Sequence, residues 1–188
     1  MRTLLALFLT CLVLVASAAT TPLEHAAKYP LTLSEYGEYE RFPADVEGYH
    51  RGAVRAYAPE LADYSIAYDQ HNYQLQNAVT LYFYARLSDT ALQQQREESQ
   101  VTSAHPGAVL VSRKTLNVPR NGQNYAATLV TYEFDGVFAG QNQRLSSQLL
   151  LIFLPTNTFK IRSTAPVEHA ARAEAAMLKL LESIAWVS

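Results

Sequence analysis

The chain has a single cysteine, Cys11, and no run of like charge among its 188 residues. Because Cys11 lies in a stretch that we predict to be removed, the mature protein has neither a disulfide nor a thiol nucleophile. No Gly-x-Ser-x-Gly motif is present, and this motif carries the nucleophile of many serine hydrolases. The five histidines never form a His-x-x-x-His pair, which excludes a helical zinc site of that spacing. These absences predict no metal and no cofactor.

Charge is low and evenly distributed, with 15 basic and 17 acidic residues and a formal net charge of −2. A nucleic-acid-binding protein usually carries a basic stripe or patch, because neutralisation of phosphates supplies much of its affinity. The sequence therefore predicts no nucleic-acid partner. The partner that we expect instead is a protein or a small molecule.

The N-terminus carries the clearest positive signal of the chain. An arginine at position 2 precedes an apolar run over residues 4–15, and small residues follow up to Ala19. This arrangement is typical of a secretory signal peptide, because the run is too short to span a bilayer comfortably. We predict that residues 1–19 are this signal peptide, cleaved after Ala18 or Ala19. The mature protein is then periplasmic or secreted, without a stable membrane span; an uncleaved anchor is the alternative.

Residues 20–188 are predicted to form one globular α+β domain. Alternation of polar and apolar side chains indicates strands, and Asn121-Gly122 marks a tight turn between two of them. Large apolar residues on both faces of the runs 77–86 and 149–154 predict strands that are covered on each side. The predicted strands cover residues 48–57, 64–69, 77–86, 108–118, 123–135, 144–154 and 159–163.

Two helices complete the predicted fold. Ser88 and Asp89 offer an N-cap for a largely solvated helix over Thr90–Ala104. The C-terminal segment has an apolar stripe at helical spacing, which predicts a helix packed on the sheet. The stripe consists of Ala170, Ala173, Met177, Leu181 and Ile184. With residues 20–43 as an N-terminal arm, we expect an antiparallel β-sheet sandwiched by helices, with a filled core that leaves no space for reactive groups to gather.

The order of these elements resembles the PsbP-like fold, an α/β/α sandwich. The resemblance rests on the apolar run 149–154, the strand Phe159-Lys160-Ile161-Arg162-Ser163 and the terminal helix that ends Ser183-Ile184-Ala185-Trp186, and it covers most of the mature chain. Proteins of this fold include the extrinsic subunit of the oxygen-evolving complex, a Ran-binding factor of nuclear import and many exported bacterial proteins. The resemblance implies a docking or assembly module more often than an enzyme.

The most suggestive surface lies on the predicted strand 48–57. Its alternation places Arg51 and Arg55 on one side, together with Tyr49 and Tyr57, and arginine beside tyrosine can hold a carboxylate or a sulfate. We therefore select Arg51, Arg55 and Tyr57 as candidate binding residues. The alternative is that the arginines form cross-strand pairs with acidic residues, with aromatic packing over their stems.

A second candidate surface is the connection 135–143, where Phe138 lies between Gly136 and Gly140. An exposed Phe138 in such a loop could insert into a partner's pocket. Alternatively, the loop folds back and covers the end of the sheet. Elsewhere in the chain, Asp69 and His71 lie two residues apart. Two ligands are too few for a metal site, so no metal-binding residue is predicted.

These features together predict an exported, non-catalytic binding or assembly module of the cell envelope, with no catalytic residues assigned. Two alternatives stay open. One is an envelope hydrolase whose active-site residues are scattered along the chain, which ionisable side chains converging in a deep cleft would favour. The other is a carrier of a small hydrophobic ligand, which would need an apolar internal cavity.

Overall fold

A computed structural model describes residues 41–58, 63–72 and 75–186 of the protein. In this part of the chain the predicted antiparallel α+β fold with a C-terminal helix is confirmed. The strands are β1 (Asp45–Val46), β2 (Tyr49–Ala56), β3 (Tyr64–Asn72), β4 (Leu75–Ala85), β5 (Val109–Arg120), β6 (Gln123–Phe138), β7 (Gln141–Phe153) and β8 (Asn157–Pro166). The helices are α1 (Thr90–Ala104) and α2 (Ala170–Ser183), and a single 3-10 turn, Val167–His169, precedes α2.

All eight strands belong to one sheet, in the order β1-β2-β3-β4-β8-β7-β6-β5. Neighbouring strands are antiparallel throughout, and most of them follow one another in the chain. The exception is the pair β4 and β8, which meets in the middle of the sheet. Because α1 leads from central β4 to edge strand β5, the helix must cross one face of the sheet.

Helix α2 is held by apolar side chains. Met177, Leu180 and Leu181 are buried in the main hydrophobic core, which includes Leu150 and Ile161 from the sheet. The core continues past the helix to Trp186, whose ring stacks on Phe159 with 5.5 Å between the ring centroids. The predicted apolar stripe therefore packs on the sheet as expected.

Helix α1 spans the predicted residues, Thr90–Ala104, and the Asp89 side chain caps it by accepting a hydrogen bond from the Leu92 amide at 2.9 Å. Its one buried apolar residue, Val101, packs with Leu149 and Leu151. These leucines alternate along β7 with Leu150, which belongs to the core under α2. Since alternate residues of a strand point to opposite faces, α1 and α2 contact opposite faces of the sheet.

The prediction of a loop over residues 135–143 is wrong. Strand β6 continues to Phe138 and β7 begins at Gln141, so only Ala139 and Gly140 form the turn, both at positive φ. The pairing Phe138↔Gln141 extends the ladder to its end. Glycine fits inside the strand at position 136 because it has no Cβ; a Cβ there would lie only 3.1 Å from the Leu145 side chain, closer than ordinary van der Waals contact. A glycine inside the strand was thus mistaken for a loop boundary.

The predicted signal peptide and residues 20–40 of the predicted arm lie outside the described residues. The end of the arm is described, and it packs on the domain: Phe42 is fully buried, and the Tyr68 hydroxyl donates to the Pro43 carbonyl at 2.8 Å. Arg41 and Ala185 join the two ends of the described chain through hydrogen bonds. No helix within the described ranges is long and apolar enough to cross a membrane.

Candidate functional site

A β-bulge divides the surface that was predicted on β2. Arg51 pairs with Tyr68, but Val54 pairs with Ile66, so one extra residue lies between the two pairs. An extra residue reverses the alternation of side chains beyond it. Arg51 and Arg55 therefore lie on opposite faces of the sheet, and the prediction that they share a face is wrong.

The bulge has a physical reason in the core. Tyr49 before it and Ala56 after it are both buried, which strict alternation from an odd to an even position would prevent. Tyr49 accepts a hydrogen bond from Asn77 at 2.7 Å, and burial raises the pKa of its phenol to about 12. Arg51 lies on the same face as Tyr49 and donates a hydrogen bond to the Phe42 carbonyl. It therefore lies on the face of the sheet that carries the main core.

Arg55 and Tyr57 lie on the other face of the sheet, which is the face that α1 contacts. Arg55 pairs with Ser65 on β3, and Ser65 pairs in turn with Tyr82 on β4. The Tyr57 hydroxyl is 3.0 Å from Ser65 Oγ. This row of residues places an arginine and three hydroxyl groups next to one another on one face.

A second arginine joins this row from the far end of the chain. Arg162 on β8 pairs with Thr80, two residues from Tyr82 on the same face. Its guanidinium lies 3.4 Å from His105 Nε2. Burial, and then the charge of Arg162, lowers the pKa of His105, so the imidazole is neutral at pH 7 and can accept this hydrogen bond.

Tyr82 is the centre of the cluster. Burial raises the pKa of its phenol, and the positive charges of Arg162 and Arg55 oppose that rise. The phenol therefore keeps its proton at neutral pH. We call the set Arg55, Tyr57, Ser65, Tyr82 and Arg162 the arginine–tyrosine surface.

The chemistry of this surface is that of a donor array. The two guanidiniums and the Tyr82 phenol can donate hydrogen bonds to an anion, whereas Ser65 is buried and its Oγ is bonded to the Tyr57 hydroxyl. Neither Arg55 nor Arg162 forms an ion pair with a carboxylate in the part of the chain that the structure describes. The cross-strand pairing with acidic residues that the sequence left open is thus not found for Arg55.

A buried ion pair lies next to this surface, beneath α1. Lys160 Nζ donates to Glu97 Oε2 at 2.7 Å, and each side chain is 7% exposed. The ammonium also lies 4.2 Å from the centroid of the Tyr82 ring. Burial lowers the pKa of Lys160, and Glu97 opposes that shift. The expectation that no ionisable groups gather inside the protein is therefore wrong on this side of the sheet.

Two further ionisable groups surround the pair. Burial, and next the Glu97 carboxylate, raises the pKa of Tyr84. Burial also raises the pKa of Asp63, while the charge of Lys160 opposes the rise. The cluster exists because α1 offers few apolar side chains to the sheet, so polar groups occupy the space beneath it.

Phe138, the remaining predicted binding residue, is half-buried at the end of β6 rather than in a loop. The large hydrophobic residue that is exposed on this hairpin is Val137, with a relative exposure of 68%. Phe138 lies on a different hairpin from the arginine–tyrosine surface, so the structure does not bring the two candidate surfaces together.

Among the described residues, no three histidine, cysteine, aspartate or glutamate side chains are grouped to hold a metal ion. The prediction for Asp69 and His71 cannot be followed further, because the His71 side chain lies outside the described residues. Comparison of the chain with models of known protein families gives no match, and comparison with curated proteins gives no significant match.

Sequence reasoning missed Tyr82 and Arg162. A usable signal was present for Arg162, because the alternation of Phe159-Lys160-Ile161-Arg162-Ser163 puts the two cations on the face opposite to the apolar pair. The local sequence pattern did not indicate which strand pairs with β8. The pairing of β8 with β4 is the contact between distant segments that brings Arg162 to Tyr82.

Proposed function

We propose that the protein is an exported, non-catalytic binding module that holds an anionic group of its partner, a carboxylate or a sulfate, on the arginine–tyrosine surface. One observation carries the proposal. The strand register places Arg55 and Arg162 on the same face as Tyr82, on strands to either side of it, and neither is paired with a carboxylate of the described chain. A half-buried guanidinium without a counter-ion is suited to a planar anion, because its N–H groups match the two oxygens in a bidentate fork.

The location and the fold family belong to the same proposal. The signal-peptide pattern of residues 1–19 supports export to the periplasm or the medium. An α/β/α sandwich of the PsbP-like kind is supported by Val101 of α1 and Met177 of α2, which pack with side chains on opposite faces of the sheet. A module of that kind is expected to dock or assemble with another component of the cell envelope.

An envelope hydrolase is the second candidate, because ionisable groups gather beneath α1. Burial raises the pKa of Asp63 and lowers that of Lys160, and such shifts are common at active sites. Two features favour binding over catalysis. Lys160 and Glu97 neutralise each other, and helix α1 covers both side chains, which keeps them from the hydrogen-bond reach of a substrate that a general acid or base needs.

An NMR titration of the processed protein with sodium sulfate and, separately, with sodium succinate tests the proposal. We expect saturable shifts of the amide signals on β2, β3, β4 and β8. Arg55→Gln and Arg162→Gln should each weaken binding by about tenfold or more, because a hydrogen bond to a charged group contributes about 1.5–3 kcal/mol.

Arg172→Gln is the matched control, because Arg172 is exposed on α2, on the other side of the sheet. This variant should bind the anions as the wild type does. Equal affinity of the wild type and both surface variants would overturn the proposal, as would shifts that spread evenly over all exposed arginines.

A further inference from the structure

Helix α1 presents an unusual outer surface. It contains only three charged residues, Arg96, Glu97 and Glu98, and both glutamates are bonded to side chains of the sheet. The rest of its polar surface consists of carboxamides and hydroxyl groups. They belong to Gln94, Gln95, Ser99, Gln100, Thr102 and Ser103. A solvated helix usually carries several exposed charges, so this one offers neutral hydrogen-bonding groups instead.

A groove of about 410 Å³ runs between this helix and the strands β5 and β6. Gln94, Gln95, Ser99 and Thr102 line it from the helix, and Arg113 and Tyr132 line it from the sheet. It lies on the side of α1 that faces the β5 edge, whereas the arginine–tyrosine surface lies towards β2. The two sites are therefore separated by the helix.

The groove contains one carboxylate in a fixed position. Glu98 accepts hydrogen bonds from Gln94 Nε2 at 2.9 Å, from the Tyr132 hydroxyl at 3.0 Å and from the Arg113 guanidinium. The Glu98 side chain is 13% exposed and that of Arg113 is 50% exposed. Because the two charges cancel, the groove has polar donors and acceptors but no net charge.

We propose that this groove binds a neutral polyhydroxylated ligand, a segment of a saccharide chain. Carboxamides accept and donate hydrogen bonds at the same time, as sugar hydroxyl groups do. The hydroxyl groups of Ser99 and Thr102 donate to carbonyls of the helix, so their oxygens can accept from a ligand. Arg113 and Glu98 hold each other, and they add a donor and an acceptor whose directions are set before the ligand arrives. The inference does not depend on the anion site.

The test is an NMR titration of the processed protein with maltohexaose, cellohexaose and chitohexaose, each used separately as a neutral probe. We expect saturable shifts of the α1 amides and of Arg113 with at least one of the three. Gln95→Ala should weaken that binding by about fivefold or more, because a neutral hydrogen bond contributes about 1 kcal/mol. Glu98→Gln should weaken it at least as much, because it removes the ion pair that holds Arg113 in place.

Ala91→Arg provides a variant whose folding is not at issue, because Ala91 is exposed on α1 and lines the groove. The long, charged side chain should obstruct the groove and abolish the shifts. Arg55→Gln should leave saccharide binding unchanged, which separates this proposal from the anion site. Binding that survives Ala91→Arg, or the absence of localised shifts with all three probes, would overturn the inference.

Discussion

Helices α1 and α2 are attached to the same sheet by opposite kinds of contact. Helix α2 buries Ala173, Met177, Leu180 and Leu181, whereas α1 buries Gln93, Glu97 and Val101. Apolar burial is non-directional and tolerates small shifts, but hydrogen bonds and ion pairs need their partners in place. Helix α2 therefore serves mainly to close the core, and the face under α1 is where the protein keeps its polar chemistry.

The polar attachment of α1 is specific at each point. Gln93 accepts a hydrogen bond from the Leu87 amide at 2.9 Å, next to the start of the helix. Glu97 bonds to Lys160, and one turn further Val101 enters a small apolar cluster. A buried ion pair adds little net stability when both partners are present, because desolvation offsets the attraction. The same pair becomes costly as soon as one partner is removed.

The largest effect is expected from Glu97→Ala, which leaves Lys160 buried without its counter-ion. The free energy of unfolding should fall by about 3–5 kcal/mol, the usual cost of breaking a buried pair from one side. Urea denaturation measures it, and hydrogen exchange should show that protection is lost first in α1 rather than in α2.

The double variant Glu97→Leu with Lys160→Met is the control, because it removes both charges and keeps the volume. Most of the lost stability should return. A cost below about 1 kcal/mol for Glu97→Ala would mean that the pair is effectively exposed and that α1 is not held in the way we describe.

A loss of similar or somewhat smaller size is expected on the other helix from Leu180→Ala. Leu180 is fully buried in the main core, and truncation of such a leucine costs about 2–5 kcal/mol through lost burial and the cavity left behind. The midpoint of urea unfolding should fall for the whole domain as one transition. Leu92→Ala, at an exposed leucine of α1, should change the free energy of unfolding by no more than about 0.5 kcal/mol; a large loss there would contradict the contrast between the helices.

The smallest effect is a pH dependence at Glu98. Burial alone would raise its pKa, but hydrogen bonds from Gln94, Tyr132 and Arg113 outweigh it and hold the pKa below 4.5. A carboxyl group whose pKa is lowered in the folded state stabilises the protein above its unfolded pKa, and this stabilisation is lost as the pH falls through the folded pKa.

The difference in free energy of unfolding between the wild type and Glu98→Gln should therefore be full at neutral pH and shrink below pH 4.5. Urea denaturation of both proteins at neutral pH and at about pH 3 measures it. A difference that stays constant across this range would show that Glu98 does not titrate as a bonded carboxylate.

Local signals in the sequence were sufficient for most of the elements. The Asp89 cap and the Gly107 that follows at positive φ delimit α1, and Asn121-Gly122, both at positive φ, form the turn between β5 and β6. The bulge after Arg51 could not be read in the same way, because a run of tyrosine, arginine and alanine alternates acceptably in either phase. Only the burial of Ala56 beside Tyr64 decides which phase the strand takes.

The candidate site was predictable only in part for a related reason. Arg55 and Tyr57 were predicted to share a face, and the structure places both beside Ser65. Tyr82 and Arg162 come from strands that are far apart in the chain, and they meet because β8 inserts beside β4. Pairing of this kind depends on which long-range contacts bury the most surface, and a local pattern of side chains does not contain that information.

The central claim is that Arg55 and Arg162 hold one anion together. A double-mutant cycle of Arg55→Gln and Arg162→Gln on sulfate affinity tests it most directly, because residues that share a partner show interaction energies of about 0.5–3 kcal/mol. We predict that the second substitution costs clearly less once the first has been made. Strictly additive losses, or no loss in either single variant, would contradict a shared site.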